Sequence, residues 1–272
     1  MADRNLRIVS TNVADTATIT AANTASGLGT DWLKTELKSE VCRILSGTGA
    51  LTLTWPDLVG IDCVAIPAWN GSASSEVRVR VYDAVSAGNL LYDSGWLWAA
   101  PGPQLGVYGF SQPLNVNHFV DGATVTAVWV PNIAGRRVVI DLKDPNRTML
   151  DISRVVVGTA FSLCGASYGS GVSANDSTTT TRTAGGDTKI DRGMAHRTMG
   201  LNLNYIPKES RHEAVRIINA GLGKRHFVSG YTDDSDVMLQ QELMMYGVLT
   251  TVPGLTYANY NINTAQFQIE EW

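Results

Sequence analysis

The sequence predicts a mainly β protein: an antiparallel, jelly-roll-like β-sandwich, then a β-barrel-like domain carrying one α-helix. Three observations predict it. Apolar residues recur at every second position, as where Val77, Val79 and Val81 alternate with Arg78 and Arg80. That period marks strands with one buried face, typical of antiparallel sheets. Turn residues punctuate these runs, as sandwiches and barrels require. Helical spacing with both a start and a stop signal is convincing only near residues 208–220.

In chain order, Leu51, Leu53 and Trp55 alternate with threonine, and Val125, Ala127 and Trp129 share one face. Met199, Leu201, Leu203 and Tyr205 alternate with Thr198, Gly200, Asn202 and Asn204, and Phe267 and Ile269 alternate with Gln266 and Gln268. The helix has Pro207 before it and a Ser210–Glu213 capping-box pair. Ala214, Val215, Ile217 and Ile218 form its apolar stripe, and Gly221 and Gly223 stop it. Residues 31–40 suggest a shorter helical turn, and residues 236–245 fit helix or strand.

A boundary is expected at Asp144-Pro145-Asn146. Residues 1–145 would form the sandwich, with the first strand free to join the second domain. Residues 146–272 would form the barrel-like assembly domain. The polar stretch from Gly169 to Asp187 reads as a long structureless loop, and such loops are usually functional or disordered. Its Thr178, Thr179, Thr180, Thr181 and Arg182 are candidates for contact with a neighbouring subunit.

Net charge is −4 and the isoelectric point about 5.6. With no run of like charge, a basic stripe for nucleic acid is absent. Cys42, Cys63 and Cys164 are odd in number and lack C-x-x-C spacing, so they read as small buried apolar residues. No window is apolar enough for a membrane span, and the first residues lack the apolar run of a signal peptide. The sequons at Asn70, Asn146 and Asn175 then have no expected use.

Four motifs invite a catalytic or ligand reading, and each has a plainer one. Gly165-Ala166-Ser167-Tyr168-Gly169 fits G-x-S-x-G, but a nucleophile elbow needs a helix directly after it, and a Gly/Ser/Thr stretch follows instead. Gly221-Leu222-Gly223-Lys224 lies after a helix, where the dipole repels anions, so it is a helix stop rather than a phosphate loop. His118, His196, His212 and His226 have no metal-ligand spacing. The acidic turn at residues 231–236 lacks the glycine and terminal glutamate of a calcium loop. No catalytic residue, metal or cofactor is therefore expected.

The aromatic residues Trp69, Trp96 and Trp98, with Asp93, are the candidate carbohydrate contacts. Exposed, a flat indole with a polar rim can stack on a pyranose; buried, it is core. The core reading is preferred.

Several segments together resemble a known family. They are residues 65–70 (Ala-Ile-Pro-Ala-Trp-Asn), 77–82 (Val-Arg-Val-Arg-Val-Tyr) and 92–96 (Tyr-Asp-Ser-Gly-Trp) in the first half. In the second half they are residues 139–146, 154–158, 182–186, the helix, 245–247 and 269–271. The chain resembles tail-tip and baseplate structural proteins of siphophages and prophages, of the distal-tail-protein type. The resemblance implies a subunit that forms a ring or connector between tail tube and distal tip, through β contacts with copies of itself and with other tail proteins. It implies a place in the virion, after synthesis in the host bacterial cytoplasm, and carries over no catalytic residue. The alternative is a carbohydrate- or receptor-binding module of such a tail, with a host surface glycan as partner.

Overall fold

The computed structural model describes residues 6–99 apart from 73 and 87, 124–163, 170–220 apart from 177 and 194, 223–230, 240, 243–251, 254–259 and 262–272. Two compact units are present. Unit 1 comprises Met1–Ser162 and Phe227–Met244, and unit 2 comprises Leu163–His226 and Met245–Trp272. The fold is mainly β with antiparallel pairing, as the alternating sequence predicts.

Unit 1 contains β1 (Leu6–Val9), β2 (Thr18–Ala21), β3 (Cys42–Ile44), β4 (Thr48–Trp69), β5 (Glu76–Tyr82) and β6 (Leu90–Asp93). It continues with β7 (Leu97–Trp98), β8 (Thr124–Lys143), β9 (Leu150–Ile152) and β10 (Val156–Gly158), and β11 (Ala160–Leu163) ends at its border. One sheet has the order β3-β9-β4-β8-β5-β6, with β2 and β10 also on β4 and β7 also on β5.

The strands β4 and β8 are unusually long and pair along most of their length. Their register shifts between Thr54 and Val59 and again between Ile61 and Cys63. Such bulges bend a ladder and increase its twist. Residues from both halves, such as Leu53 and Ile66 on β4, or Val138 and Val128 on β8, therefore share a single apolar core.

Alternation decides which side faces that core. Val77, Val79 and Val81 on β5 lie opposite Leu142, Ile140 and Val138 on β8, and all six are buried. Leu51 and Leu53 on β4 face Ile140 and Val138 from the other side. Elsewhere polar groups anchor the core's margin. The Trp55 indole donates to the Val13 carbonyl at 2.8 Å. Asn12 caps the 3-10 turn Val13–Thr16 by accepting from Ala14 N, and also accepts from Val157 N at 2.9 Å. Of residues 31–40, expected as a short helical turn, only the start is helical: Thr30–Lys34 is a 3-10 helix with Leu33 buried.

Unit 2 contains β12 (Gly171–Asp176), β13 (Thr179–Arg182), β14 (Thr188–Asp191), β15 (Ala195–Pro207) and α1 (Arg211–Ala220). Then come β16 (Arg225–Ser229), whose last three residues belong to unit 1, β17 (Met244–Leu249), β18 (Thr256–Asn259) and β19 (Ile262–Glu271). Strand β15 pairs with β12 on one side and β19 on the other, and β17 and β18 flank β19. Met199, Leu201, Leu203, Ala265, Phe267 and Ile269 form the buried face of this sheet. The helix α1 follows the 3-10 turn Lys208–Ser210 and buries Ala214 and Ile217, whereas Val215 stays exposed.

Two sequence expectations change. The division expected at residues 144–146 lies instead after Ser162, because β9 and β10 pair with β3 and β4 of unit 1. A late segment also belongs to unit 1: residues 227–229 pair with β1, which stays in unit 1. Second, the stretch expected to be structureless is largely β: β12 makes six register pairs with β15, and β13 and β14 form a hairpin. Of residues 236–245, expected as helix or strand, 236–239 and 241–242 lie outside the described residues and Met244 and Met245 begin β17; Cys164 and the G-x-S-x-G segment also lie outside them.

His226 is fully buried in β16, and neither ring nitrogen has a partner among the described residues. Burial first, and Lys224 second, push its pKa down to about 4.

Stability should respond in two ways. Leu53→Ala, at a fully buried site, should cost about 2–5 kcal/mol in urea unfolding, and Thr52→Ala on the opposite face within about 0.5 kcal/mol. Because the folded pKa of His226 lies below the unfolded value of 6.5, its contribution is complete above pH 6.5 and is lost as pH falls towards 4. The slope should approach at most ~1.4 kcal/mol per pH unit and should disappear in His226→Leu.

Candidate functional site

Two surfaces stand out, one on each unit. The first is the outer face of the unit 1 sheet. Since the valines of β5 point inward, Glu76, Arg78, Arg80 and Tyr82 point outward. Register places Trp98 and Lys143 on either side of Glu76, and Asp141 opposite Arg78. Arg80 reaches Asp141 with Nε and Nη2, both at 3.0 Å, and its Nη1 donates to the Tyr82 hydroxyl at 3.3 Å. The Arg137 guanidinium stacks 4.0 Å from the centre of the Tyr82 ring. Arg78 forms a two-pronged pair with Asp93, Nε to Oδ1 at 2.8 Å and Nη2 to Oδ2.

That pair shapes the turn that carries Trp96. Asp93 Oδ1 also accepts from Gly95 N at 2.9 Å, and Gly95 adopts φ +65°, which favours glycine. Ser94 Oγ accepts from Val79 N at 2.8 Å and ties the turn to β5. The Arg78 guanidinium, and then the Gly95 amide, hold the Asp93 carboxyl well below the usual carboxylate range. Beyond the turn, Lys143 Nζ lies 5.9 Å from the centre of the Trp96 ring and 3.1 Å from the Glu76 carboxylate.

The candidate carbohydrate residues therefore separate. Trp69 is 1% exposed, and its indole donates to the buried Thr126 hydroxyl at 2.9 Å, so it is core and removed from the contact set. Trp96 and Trp98 are 47% and 63% exposed, contrary to the core reading. The hydrophobic period could not reveal this, because these residues sit on a turn and on a two-residue strand too short to show a period, both of whose residues are exposed. Asp93 is the buttress of the Trp96 turn. The face offers exposed indoles beside paired carboxylates and guanidiniums, a chemistry of stacking and hydrogen bonding. Among the described residues no cluster of His, Cys, Asp or Glu is arranged to hold a metal.

The second surface is the arm on unit 2. Every residue of β12 is exposed, and so is every residue from 179 to 193. Thr179, Thr180, Thr181 and Arg182 pair with Asp191, Ile190, Lys189 and Thr188. The turn closes with Thr183 N to Asp187 O at 2.9 Å and Gly186 N to Thr183 O at 3.0 Å, with Gly186 at φ +88°. Thr178 closes the base, accepting from Gly193 N at 3.1 Å and donating its own N–H to Asp176 at 2.9 Å. All five candidate contact residues thus lie on one hairpin. A two-stranded hairpin is marginally stable at best by itself in water. Its threonines favour strand, but with neither face buried it carries no apolar alternation.

No protein-family model matches the chain, and no curated protein matches it. Solved structures show distant likeness over about half of it. A chitosan-binding module from a Paenibacillus chitosanase/glucanase has 9% identity and a TM-score of 0.39, covering 55% of this chain and 99% of the module. A fucose binding module of Streptococcus pneumoniae has 10% identity and a TM-score of 0.37, covering 55% and 98%. A Ruminococcus gnavus fucosidase in complex with fucose has 13% identity and a TM-score of 0.40, covering 56% of this chain and 27% of the enzyme. At such values, function has to be argued from the chain's own surfaces.

Proposed function

We propose that this chain is a non-catalytic assembly subunit, a structural component of a tailed-phage tail tip or baseplate. The observation that carries the reading is the arm: a hydrogen-bonded hairpin exposed along its whole length from residue 179 to 193. Its outer edges present backbone donors and acceptors that a neighbouring sheet or loop would satisfy. Native chains manage open edges by keeping them short, charging them or covering them. Copies of the chain joined head to tail through the arm would close into a ring if the rotation between them closes. The resemblance to tail-tip proteins supplies the biological setting.

A second reading has its own observation. Trp96 and Trp98 are exposed beside the Arg78–Asp93 and Lys143–Glu76 pairs, which supports recognition of a host surface glycan by unit 1.

Replacing residues 178–193 by a short glycine linker tests the assembly reading. The variant should keep the circular dichroism and melting behaviour of the parent, because nothing in the excised hairpin is core, while ring formation or incorporation into particles is lost. Undiminished assembly of a folded variant would refute the arm's role. For the second reading, Trp96→Ala/Trp98→Ala should weaken saturable glycan binding by about 10-fold or more, as expected when about 1.4 kcal/mol of stacking is removed. Unchanged binding would reject these residues as the platform.

A further inference from the structure

Unit 2 also carries a depression of about 440 Å³ on the face of β12, β15 and β19. Its floor lies where Gly171 and Gly200 are register partners, with Gln268 opposite Gly200 on the far side. Neither glycine has a crowded side-chain position: a β-carbon added at Gly171 would meet nothing within 4 Å, and one at Gly200 only the Gly171 carbonyl, at 4.0 Å. The walls bear neutral hydrogen-bonding groups, notably Ser173, Asn202, Thr251, Gln266 and Gln268. Among the described residues no charged side chain lines it. We propose that this depression binds a neutral saccharide.

Three physical points lead there. Amide and hydroxyl side chains both donate and accept, as sugar hydroxyls do. A lining without charge discriminates against ionic ligands, for which a built site provides opposite charge. Within the face itself no backbone groups are free, because β15 already spends its ladder on β12 and β19; among the described residues the open edge is the outer side of β12. Recognition must therefore come from side chains, and the volume falls within the range of small-ligand sites. The wall is loosely held: Thr251 Oγ1 donates to Gln268 Oε1 at 3.3 Å, a long bond, so the Gln268 amide can turn to a ligand at little cost. This site shares no residue with the indoles of unit 1 or with the hairpin of residues 178–193, and it stands or falls without either.

The test is titration of the full chain with glucose, galactose and N-acetylglucosamine and their short oligomers, followed by saturation-transfer NMR and calorimetry. Binding of at least one probe with Kd below about 10 mM is expected. Gly200→Val fills the floor with a strand-favouring residue and should weaken that binding at least 10-fold while leaving the melting temperature close to that of the parent. Gln268→Ala removes one wall amide and gives an independent readout if the valine disturbs folding. The same titrations are made in the Trp96→Ala/Trp98→Ala background, where any binding by the indoles of unit 1 is removed and the unit 2 site is read alone. The proposal is overturned if no probe binds in that background, or if binding there survives both unit 2 substitutions.

Discussion

Alternation along β5 and the stretches of β8 and β4 in register with it is the constraint on which the rest depends. A pleated strand sends neighbouring side chains to opposite faces, so one choice of register fixes both the core and the outer surface. The same register that brings Val79 against Ile140 brings Arg78 opposite Asp141 and Glu76 opposite Lys143. A one-residue slip would bury three ion-pairing side chains and expose the valines. These ion pairs are only part-buried, so water still screens them and their contribution to stability is modest. Their consequence is geometric: Arg78 holds Asp93, Asp93 holds the Gly95 turn, and the turn presents Trp96.

The two units use the same chemistry for different ends. In unit 1 alternation closes a core, with β4 and β8 long enough to serve it twice. In unit 2 it closes a core over part of β15 and then continues outward, where β12 and β13–β14 have nothing to bury. Hydrogen bonds within the arm keep it a hairpin.

The class of fold is legible because burial leaves a period in the sequence, as at residues 77–81 and 266–269. The helix is legible from Pro207, Ser210 and Glu213 at one end and glycine at the other. The arm reads as a loop because a strand exposed on both faces leaves no period; only its threonine run and Gly185-Gly186 turn hint at a hairpin. The passage of segment Phe227–Met244 into unit 1 is invisible in the sequence, since pairing between residues 7–9 and 227–229 is a long-range fact. Of the site, the sequence points to Trp96 and Trp98 but assigns them to the core, whereas they stand exposed. Trp69, grouped with them, is core because its indole finds Thr126 inside. The glycine-floored depression has no motif: it arises from the register of three strands.

Amide hydrogen exchange across residues 171–192 tests the central claim most directly, measured on the dilute isolated chain and on its assembled form. The account predicts rapid exchange of the outward-facing amides in the isolated chain and strong protection after assembly, with the amides of β4 and β8 protected in both. Protection of the arm already in the isolated chain, or continued rapid exchange in the assembled form, would contradict it.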